Sequence, residues 1–536
     1  MRFLKKSQDT ILLLFSIVIT IFLYGYNIKL RSYTADELGT ILISKMPVCD
    51  IMAVVKKSDI HPPTHYLLVH YWAKLFGDDL ASMRVSGIIP ILLLIPISYC
   101  FTKRYFSKKV AYYLIPFLIV SPNLLYYSRI VRYYSWTLLF AFLSIASFIW
   151  FFETRQKRSR VSFIVATAIL GYLHYFTIII VLISENIYFA IRYKTKAFSR
   201  KETYCWLRMQ VILLMLLFPM ILFITIPQFT HFFSAEEITA SSNMSVNWKG
   251  MFAAMLYPFY AFWFSQNFFP WEYGYTIPCL VALILLLSPV LKYFKKNLHQ
   301  FMFVIVFIFM PVTLVSAAMF ITRVSQAIVQ SAAYSLFVLL FILIILCALL
   351  SAFGNKPLKY VIYFGLIILN VLSIRNYFAY HTALCWDPNW QEVAEYIGEN
   401  SNPSDLIVAI NPEHNIIEKS YVSYYLHQPT IDVMQNSLLI SYDHKASGGL
   451  KEFRRVLFSR PPERVWVTVR NRLPGEAFLV EKSLADMGYI KEKVKGFWRN
   501  DKNTIKFKKI LSGFPFLGFR ANDVEEFMIS VILYKY

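Results

Sequence analysis

Two adjacent carboxylates, Asp36 and Glu37, lie in the segment TADELGT (residues 34–40), directly after the first long apolar run of the chain. A carboxylate at a water-facing position can serve as a general base on a hydroxyl group. Exposed acids more often do no more than solvate a loop. The pair is therefore a candidate site only in combination with the residues that follow it.

The next polar segment, DIHPPTHYLLVHYW (residues 59–72), holds three histidines. His61 precedes two prolines, which fix its backbone, and an imidazole held rigidly near a membrane surface can donate to an anionic head group. Tyr66 and His70 fall on one helical face and His65 on another. Because histidine and tyrosine are common anchors at membrane interfaces, we expect His65 and His70 to be structural.

Four arginines add positive charge near the same surface. Arg129 and Arg132 occur in SPNLLYYSRIVRYYSW (residues 121–136), three residues apart, and so share one side of a helical turn with Tyr133 near by. The other two are Arg84 and Arg323. Arginine on the outer side runs against the usual charge bias of membrane proteins, so each of these residues either binds an anion or snorkels to lipid head groups.

The composition is that of a membrane protein. The 536 residues are 57% hydrophobic and 18% aromatic, with a mean hydropathy of +0.49. Residues 379–536 hold 20 of the 54 Lys and Arg and 19 of the 32 Asp and Glu, so 21 of the 22 excess positive charges precede residue 379. Basic loops between apolar segments indicate the cytoplasmic side and exclude a nucleic-acid-binding domain. Six scattered cysteines without a CxxC pair indicate neither a zinc site nor a disulfide framework.

Eleven apolar stretches are close to the length that crosses a bilayer. They lie at about 8–28, 80–102, 110–127, 133–152, 161–176, 177–193, 206–227, 273–291, 300–319, 331–350 and 358–378. The basic clusters between them predict a cytoplasmic N-terminus, a first external loop at 29–79 and an external C-terminus. One helix over 161–193 would be roughly 50 Å long, so a hairpin that turns at His174 is predicted. The segment 251–264 is predicted to be interfacial or re-entrant.

Soluble patterns begin after residue 378. NWQEVAEYIGEN places Trp390, Val393, Ala394 and Ile397 on one helical face, whereas DLIVAI and RVWVTVR have the composition of buried strands. Such alternation predicts an extracytoplasmic α/β domain over 379–536. The predicted fold class is thus a polytopic α-helical membrane protein of about eleven transmembrane helices (1–378), followed by this domain.

Together these residues favour transfer of a sugar from a lipid phosphate. A carboxylate would take the proton of an acceptor hydroxyl while cationic side chains bind the phosphate that leaves. This chemistry needs neither a nucleotide nor a glycine-rich phosphate loop, and the sequence has no such loop.

The motifs in residues 34–136 resemble those of the GT-C superfamily, in particular its bacterial branch related to protein O-mannosyltransferases and the lipid A aminoarabinose transferase. TADELGT matches an acidic motif of the first external loop, DIHPPTHY an HPPxYY-like segment, and SPNLLYYSRIVRYYS an SP-x-x-x-YYS-like segment. The last departs from a common Glu-Ala-Arg by having Ile-Val-Arg.

The resemblance implies an inverting glycosyltransferase of the inner (cytoplasmic) membrane that uses a polyprenyl-phosphate-linked monosaccharide and a glycan, lipid or protein acceptor. It implies that Asp36 is the catalytic base, that Glu37 shapes its position, and that the donor phosphate meets the cationic residues. The candidates for phosphate binding are Arg132, Arg129, His61, Arg84 and Arg323. Those for the donor and acceptor groove are Tyr133, Tyr66 and His174. No cofactor is implied with certainty, and use of a divalent cation is left open.

The residues also leave two other functions open. A lipid or glycan transporter, or a flippase, without covalent chemistry fits the apolar segments, although Glu185 is the one mid-span acid and no internal repeat is evident. A structural or assembly factor would explain the soluble domain but not the outer arginines.

Overall fold

The computed structural model describes residues 2–195, 198–234, 248–264, 267–268, 271–321, 332–379, 390–410, 431–432, 448–459, 461–470, 474–497 and 529–536. The chain divides into two compact units. The helical unit consists of Met1–Ile28, Ser44–Ala383 and Phe516–Gly518, and the sheet unit of Lys29–Ile43, Leu384–Pro515 and Phe519–Tyr536. The TADELGT segment therefore belongs to the sheet unit, although it lies near the start of the chain.

The helices before residue 380 follow the predicted apolar segments. They are α1 (Arg2–Gly25), α2 (Ala35–Ser44), α3 (Val48–Ser58), α4 (Thr64–Phe76), α5 (Leu80–Tyr105), α6 (Lys108–Ile119), α7 (Pro122–Ser128), α8 (Tyr134–Thr154), α9 (Lys157–Leu173), α10 (Tyr175–Lys194), α11 (Arg200–Met220), α12 (Ile226–Ser234), α13 (Trp248–Phe264), α14 (Tyr273–Lys296), α15 (Leu298–Val304), α16 (Met310–Ile321), α17 (Leu336–Ala352) and α18 (Lys356–Phe378). Single π-helical turns, Ile221–Thr225 and Ile305–Phe309, join α11 to α12 and α15 to α16.

Among the described residues, seven helical segments are long and apolar enough to cross a membrane, and the pair α6 and α7, bent by 53°, makes an eighth if it is one span. The other three predicted spans coincide with α9, α14 and α17. Their apolar helical parts are shorter than 18 residues, so the count of full-length spans falls below the predicted eleven. The multi-pass helical architecture is confirmed. The segment 251–264 lies in α13, and its depth in the membrane stays a prediction.

The predicted break at His174 is confirmed, because this residue has extended backbone between α9 and α10. Ser144 in α8 shows that the two helices fold back on each other. Its hydroxyl lies 2.7 Å from Thr167 in α9 and donates to Glu185 in α10 at 2.9 Å, whereas one straight helix would separate Thr167 and Glu185 by roughly 27 Å. The mid-span acid is thus a buried polar link between three helices.

The described part of the sheet unit after residue 389 is an α/β fold. Its elements are α19 (Trp390–Asn400), β1 (Leu406–Ile410), β2 (Ile431–Asp432), α20 (Gly448–Ser459), β3 (Arg464–Arg470), α21 (Pro474–Asp486), β4 (Ile490–Phe497) and β5 (Ile529–Lys535). The strand order is β2-β1-β3-β5-β4, with parallel pairs around β1 and antiparallel pairs around β5. Val408 lies opposite Val467, and Val467 opposite Ile532, in the buried centre of the sheet.

The helices α5 and α7 approach each other closely at Gly87. A Cβ atom on this residue would lie 2.4 Å from the carbonyl oxygen of Ser128, which is much less than a van der Waals contact. Ser128 directly precedes Arg129, so the contact fixes the position of the turn that carries the predicted phosphate-binding arginines.

We expect Gly87→Ala to destabilise the helical unit by about 1 to 3 kcal/mol, because the methyl group would collide with a main-chain atom. The measurement is the melting temperature of the detergent-solubilised protein. Gly365→Ala in α18 is the matched control, since nothing lies within 4 Å of its Cβ position. An unchanged melting temperature for Gly87→Ala would contradict the close approach of α5 and α7.

Candidate active site

The acidic pair lies in the first turn of α2, where its two members have different surroundings. The main-chain N–H of Thr34 donates to Glu37 Oε2 at 2.9 Å, and the N–H of Glu37 donates to the Thr34 hydroxyl at 3.2 Å. This reciprocal pair is a capping box, which fixes the start of a helix. Glu37 is buried, whereas Asp36 is exposed. The capping box thus holds the turn from which the Asp36 carboxylate meets solvent.

In the helical unit, Asp59 organises the turn between α3 and α4. Its Oδ1 accepts hydrogen bonds from the N–H groups of Ile60 at 2.6 Å and His61 at 3.0 Å, and lies 2.7 Å from His61 Nδ1. The hydroxyl of Tyr66 donates to the other oxygen, Oδ2. A single carboxylate therefore fixes both the backbone and the ring of His61 before the buried pair Pro62 and Pro63.

The other edge of His61 faces a column of aromatic rings. Its Nε2 lies 3.0 Å from the Tyr133 hydroxyl, and Tyr133 stacks on His174 with ring centroids 4.5 Å apart. His174 in turn lies 5.1 Å from the ring of Tyr334. A small cavity is lined by Tyr133, His174 and Tyr334 together with Thr137 and Thr177. Residues from four separate parts of the sequence therefore meet at one place.

The electrostatics of this cluster favour a charged Asp59. Burial by itself favours the neutral carboxyl of Asp59. This effect is outweighed by the charge and hydrogen bond of His61, the charge of Arg132 and the hydrogen bond from the Tyr66 hydroxyl. The pKa of Asp59 therefore lies below its usual value. Burial and the positive charge of Arg132 lower the pKa of His65 to about 3. His65 is therefore neutral at pH 7.

Three of the predicted arginines have different environments. Arg84 and Arg129 are buried, and they donate to the carbonyl oxygens of Ile28 (at 2.8 Å) and Asn27, respectively, just beyond the end of α1. The guanidinium of Arg129 also lies 5.5 Å from the ring of Tyr377 and 5.3 Å from that of Phe378. Arg132 is half-buried and lies 5.3 Å from the Tyr133 ring. Arg132 is thus the one of the three that adjoins the His61 cluster.

The structure brings together half of the residues predicted from the sequence: His61, Tyr66, Arg132, Tyr133 and His174. Arg323 lies outside the described residues. Histidines 65 and 70 are buried, and His70 Nδ1 lies 2.7 Å from the Ser44 carbonyl oxygen, as expected of structural residues. The described part of the chain holds no group of three or more His, Cys, Asp or Glu side chains arranged to bind a metal ion.

Sequence reasoning missed Asp59, Gln228 and Tyr334. The Asp-x-His-Pro-Pro spacing is a signal for Asp59, because an aspartate two residues before a histidine can bond to the turn between them. The Thr34-x-x-Glu37 spacing likewise predicts the capping box. Nothing local marks Gln228 or Tyr334, since both reach the cluster only through the packing of distant helices.

Residues 60–223 match the family described as dolichyl-phosphate-mannose-protein mannosyltransferase. This match includes His61 and Arg132 but not TADELGT. Curated protein sequences give no match.

Solved structures give the fold. Apo ArnT from Cupriavidus metallidurans is similar to this chain with a TM-score of 0.57 and 10% sequence identity, and the match covers 98% of both chains. The structure of the same ArnT bound to undecaprenyl phosphate has a TM-score of 0.55 and 11% identity, and this match covers 97% of both chains. The oligosaccharyltransferase AglB from Archaeoglobus fulgidus, in complex with an inhibitory peptide and a dolichol-phosphate, has a TM-score of 0.50 and 12% identity, covering 86% of this chain and 69% of that one. The chain is a multi-pass membrane protein with a GT-C-like fold, and its predicted resemblance to GT-C glycosyltransferases is confirmed.

We expect Arg129→Ala to lower the free energy of unfolding by about 2 to 3 kcal/mol, because it removes a charge-assisted hydrogen bond and two cation–π contacts. Arg132→Ala should lower it by less than about 1 kcal/mol, in line with its half-exposed side chain. Thermal unfolding of the two detergent-solubilised variants measures the difference. Equal melting temperatures would contradict the structural role of Arg129.

Proposed function

We propose that this protein is an inverting glycosyltransferase that moves a monosaccharide from a polyprenyl-phosphate donor to a glycan, lipid or protein acceptor on the outer face of the cytoplasmic membrane. The proposal places the N-terminus inside and the domain of residues 379–536 outside. The proposal depends mainly on one observation: two motifs that are distant in the sequence lie together in the structure. His61 belongs to the HPP segment, and Arg132 and Tyr133 belong to the YYS segment. These residues form one cationic and aromatic cluster.

The cluster suits a phosphate that gains charge during a reaction. As the bond between the anomeric carbon and the phosphate oxygen breaks, negative charge grows on the leaving phosphate, and Arg132 and His61 stabilise it. Both side chains are held in place before the reaction, His61 by Asp59 and Arg132 beside the Tyr133 ring, so little reorganisation is needed. The stacked rings of Tyr133 and His174 suit the face of a sugar ring.

In the proposed reaction, Asp36 takes the proton of the acceptor hydroxyl as the oxygen attacks the anomeric carbon from the side opposite the phosphate. One displacement of this kind inverts the configuration. The exposure of Asp36 supports this assignment, and Glu37 positions it through the capping box. Arg84 and Arg129 are assigned to holding the end of α1 rather than to the phosphate, and Arg323 stays a candidate ligand.

The similar proteins support a lipid-phosphate donor. One ArnT structure contains undecaprenyl phosphate and the AglB structure contains a dolichol-phosphate. The family that matches residues 60–223 is named for dolichyl-phosphate-mannose. Mass spectrometry of envelope glycolipids and glycoproteins, with and without this protein, would identify the sugar and the acceptor. Identical profiles would count against the transferase proposal.

Asp36→Asn should reduce sugar transfer by about 10²- to 10⁴-fold, the usual contribution of a general base, because it removes the basic oxygen with almost no change in volume. Expression and undecaprenyl-phosphate binding should be unchanged. Transfer is measured in membranes with the donor identified from the envelope analysis, and Asp50→Asn is the control on a neighbouring acid. Turnover within a few-fold of the parent would reject Asp36 as the base.

Arg132→Ala should weaken binding of undecaprenyl phosphate by about 10- to 100-fold, the range for loss of a charged hydrogen bond to phosphate. Titration of the purified protein in nanodiscs measures the affinity without any need to know the sugar. Arg132→Lys should retain part of the affinity, since it keeps the charge but loses the planar fork. Equal affinity for parent and Arg132→Ala would exclude this residue from the phosphate site.

A further inference from the structure

Gln228 in α12 contacts the main chain of the turn that carries His61. Its Nε2 donates to the carbonyl oxygens of Val55 and His61, both at 2.9 Å, and its Oε1 accepts from the Tyr175 hydroxyl at 2.9 Å. Two carbonyl oxygens can accept only from the NH₂ group, so the orientation of the amide is determined. The side chain is 2% exposed. Gln228 therefore anchors both the last turn of α3 and the main chain of His61.

A buried amide at this place is costly unless every polar atom has a partner. Its surroundings in the sequence, ILFITIPQF, are apolar, and neither periodicity nor surface exposure calls for a polar residue. The π-helical turn Ile221–Thr225 lies just before it. One extra residue in a turn rotates the following side chains by about 100° around the helix axis, and this rotation aims Gln228 at the His61 turn.

Asp59 and Gln228 together hold His61 at three places. Gln228 bonds to its carbonyl oxygen, whereas Asp59 accepts from its N–H and adjoins its ring Nδ1. An ionised carboxylate can only accept, so Nδ1 must carry a proton. Nε2, which lies 3.0 Å from the Tyr133 hydroxyl, is then the ring nitrogen that Asp59 leaves accessible to other groups, and it can donate to an anion only when it too carries a proton.

We propose that Asp59 and Gln228 are positioning residues that present Nε2 of His61 to the phosphate of a lipid-linked donor. Gln228 holds the main chain of His61 in place, and Asp59 keeps a proton on Nδ1 and fixes the rotation of the ring. A second proton, on Nε2, supplies the hydrogen-bond donor that the phosphate accepts. This inference rests on the proposed function, because it takes a lipid phosphate as the ligand of His61. Neither residue touches the phosphate, so each acts through the histidine.

The test is the affinity for undecaprenyl phosphate of the full chain in nanodiscs. Asp59→Asn should weaken it about tenfold. In a His61→Lys background the same change should cost less than about threefold, because an ammonium group presents its N–H donors without a carboxylate at a second ring nitrogen. Gln228→Leu should also weaken binding by about tenfold, whereas Tyr175→Phe, which removes only the outer hydrogen bond of the amide, should cost less than about threefold. An equal loss for Asp59→Asn in both backgrounds would overturn the proposal.

A second measurement needs no destabilising variant. Nitrogen-15 NMR of histidine-labelled parent protein, with the His61 signals assigned by their loss in His61→Gln, should show a protonated Nδ1. A His61 with bare Nδ1 and protonated Nε2 would overturn the inference even if Asp59→Asn failed to fold. If the parent itself shows no saturable binding of undecaprenyl phosphate, the proposed function fails. If the parent binds and Arg132→Ala weakens binding, but Asp59→Asn and Gln228→Leu do not, only the inference fails.

Discussion

A carboxylate that is largely removed from solvent must have its lone pairs satisfied, and the arrangement of the helical unit around Asp59, whose side chain is 10% exposed, follows from this constraint. Two main-chain N–H groups, an imidazole and a phenol converge on its two oxygens. The desolvation free energy of the charged carboxylate is offset only while these four hydrogen-bonding groups remain in place. The turn between α3 and α4 therefore has one well-defined conformation. The position of His61 is fixed as well, because Asp59 contacts both its ring and its main-chain N–H.

The need to pair buried polar groups also distinguishes the three predicted arginines that the structure describes, because their side chains contact different groups. Arg84 and Arg129 are buried, and main-chain carbonyls that follow α1 receive their N–H groups. Main-chain carbonyl oxygens carry partial negative charge, so a guanidinium with its five N–H donors is well suited to them. These two side chains thereby fix the point at which the chain leaves the first helix toward Lys29. Arg132 adjoins the histidine cluster instead, where its field acts on Asp59 and His65.

The two acids of TADELGT show how adjacent residues of one charge acquire separate roles. Glu37 is three residues after Thr34, the spacing at which a side chain reaches back to the N–H of the capping residue. Asp36 lacks that spacing and points to solvent. A helix start thus converts a symmetric pair into one buried, structural carboxylate and one exposed carboxylate.

The sequence by itself determined the membrane class, the apolar segments, the break at His174 and the strands β1 and β3 of the described sheet. These features depend on local periodicity, charge and turn residues, which act over a few neighbours. It also identified His61, Arg132 and Tyr133 through short motifs. Only the tertiary structure decided which arginine adjoins the histidine, and that Asp59 and Gln228 hold it. Those contacts join residues up to 167 positions apart, and a single sequence has no local pattern that records which buried polar groups will meet.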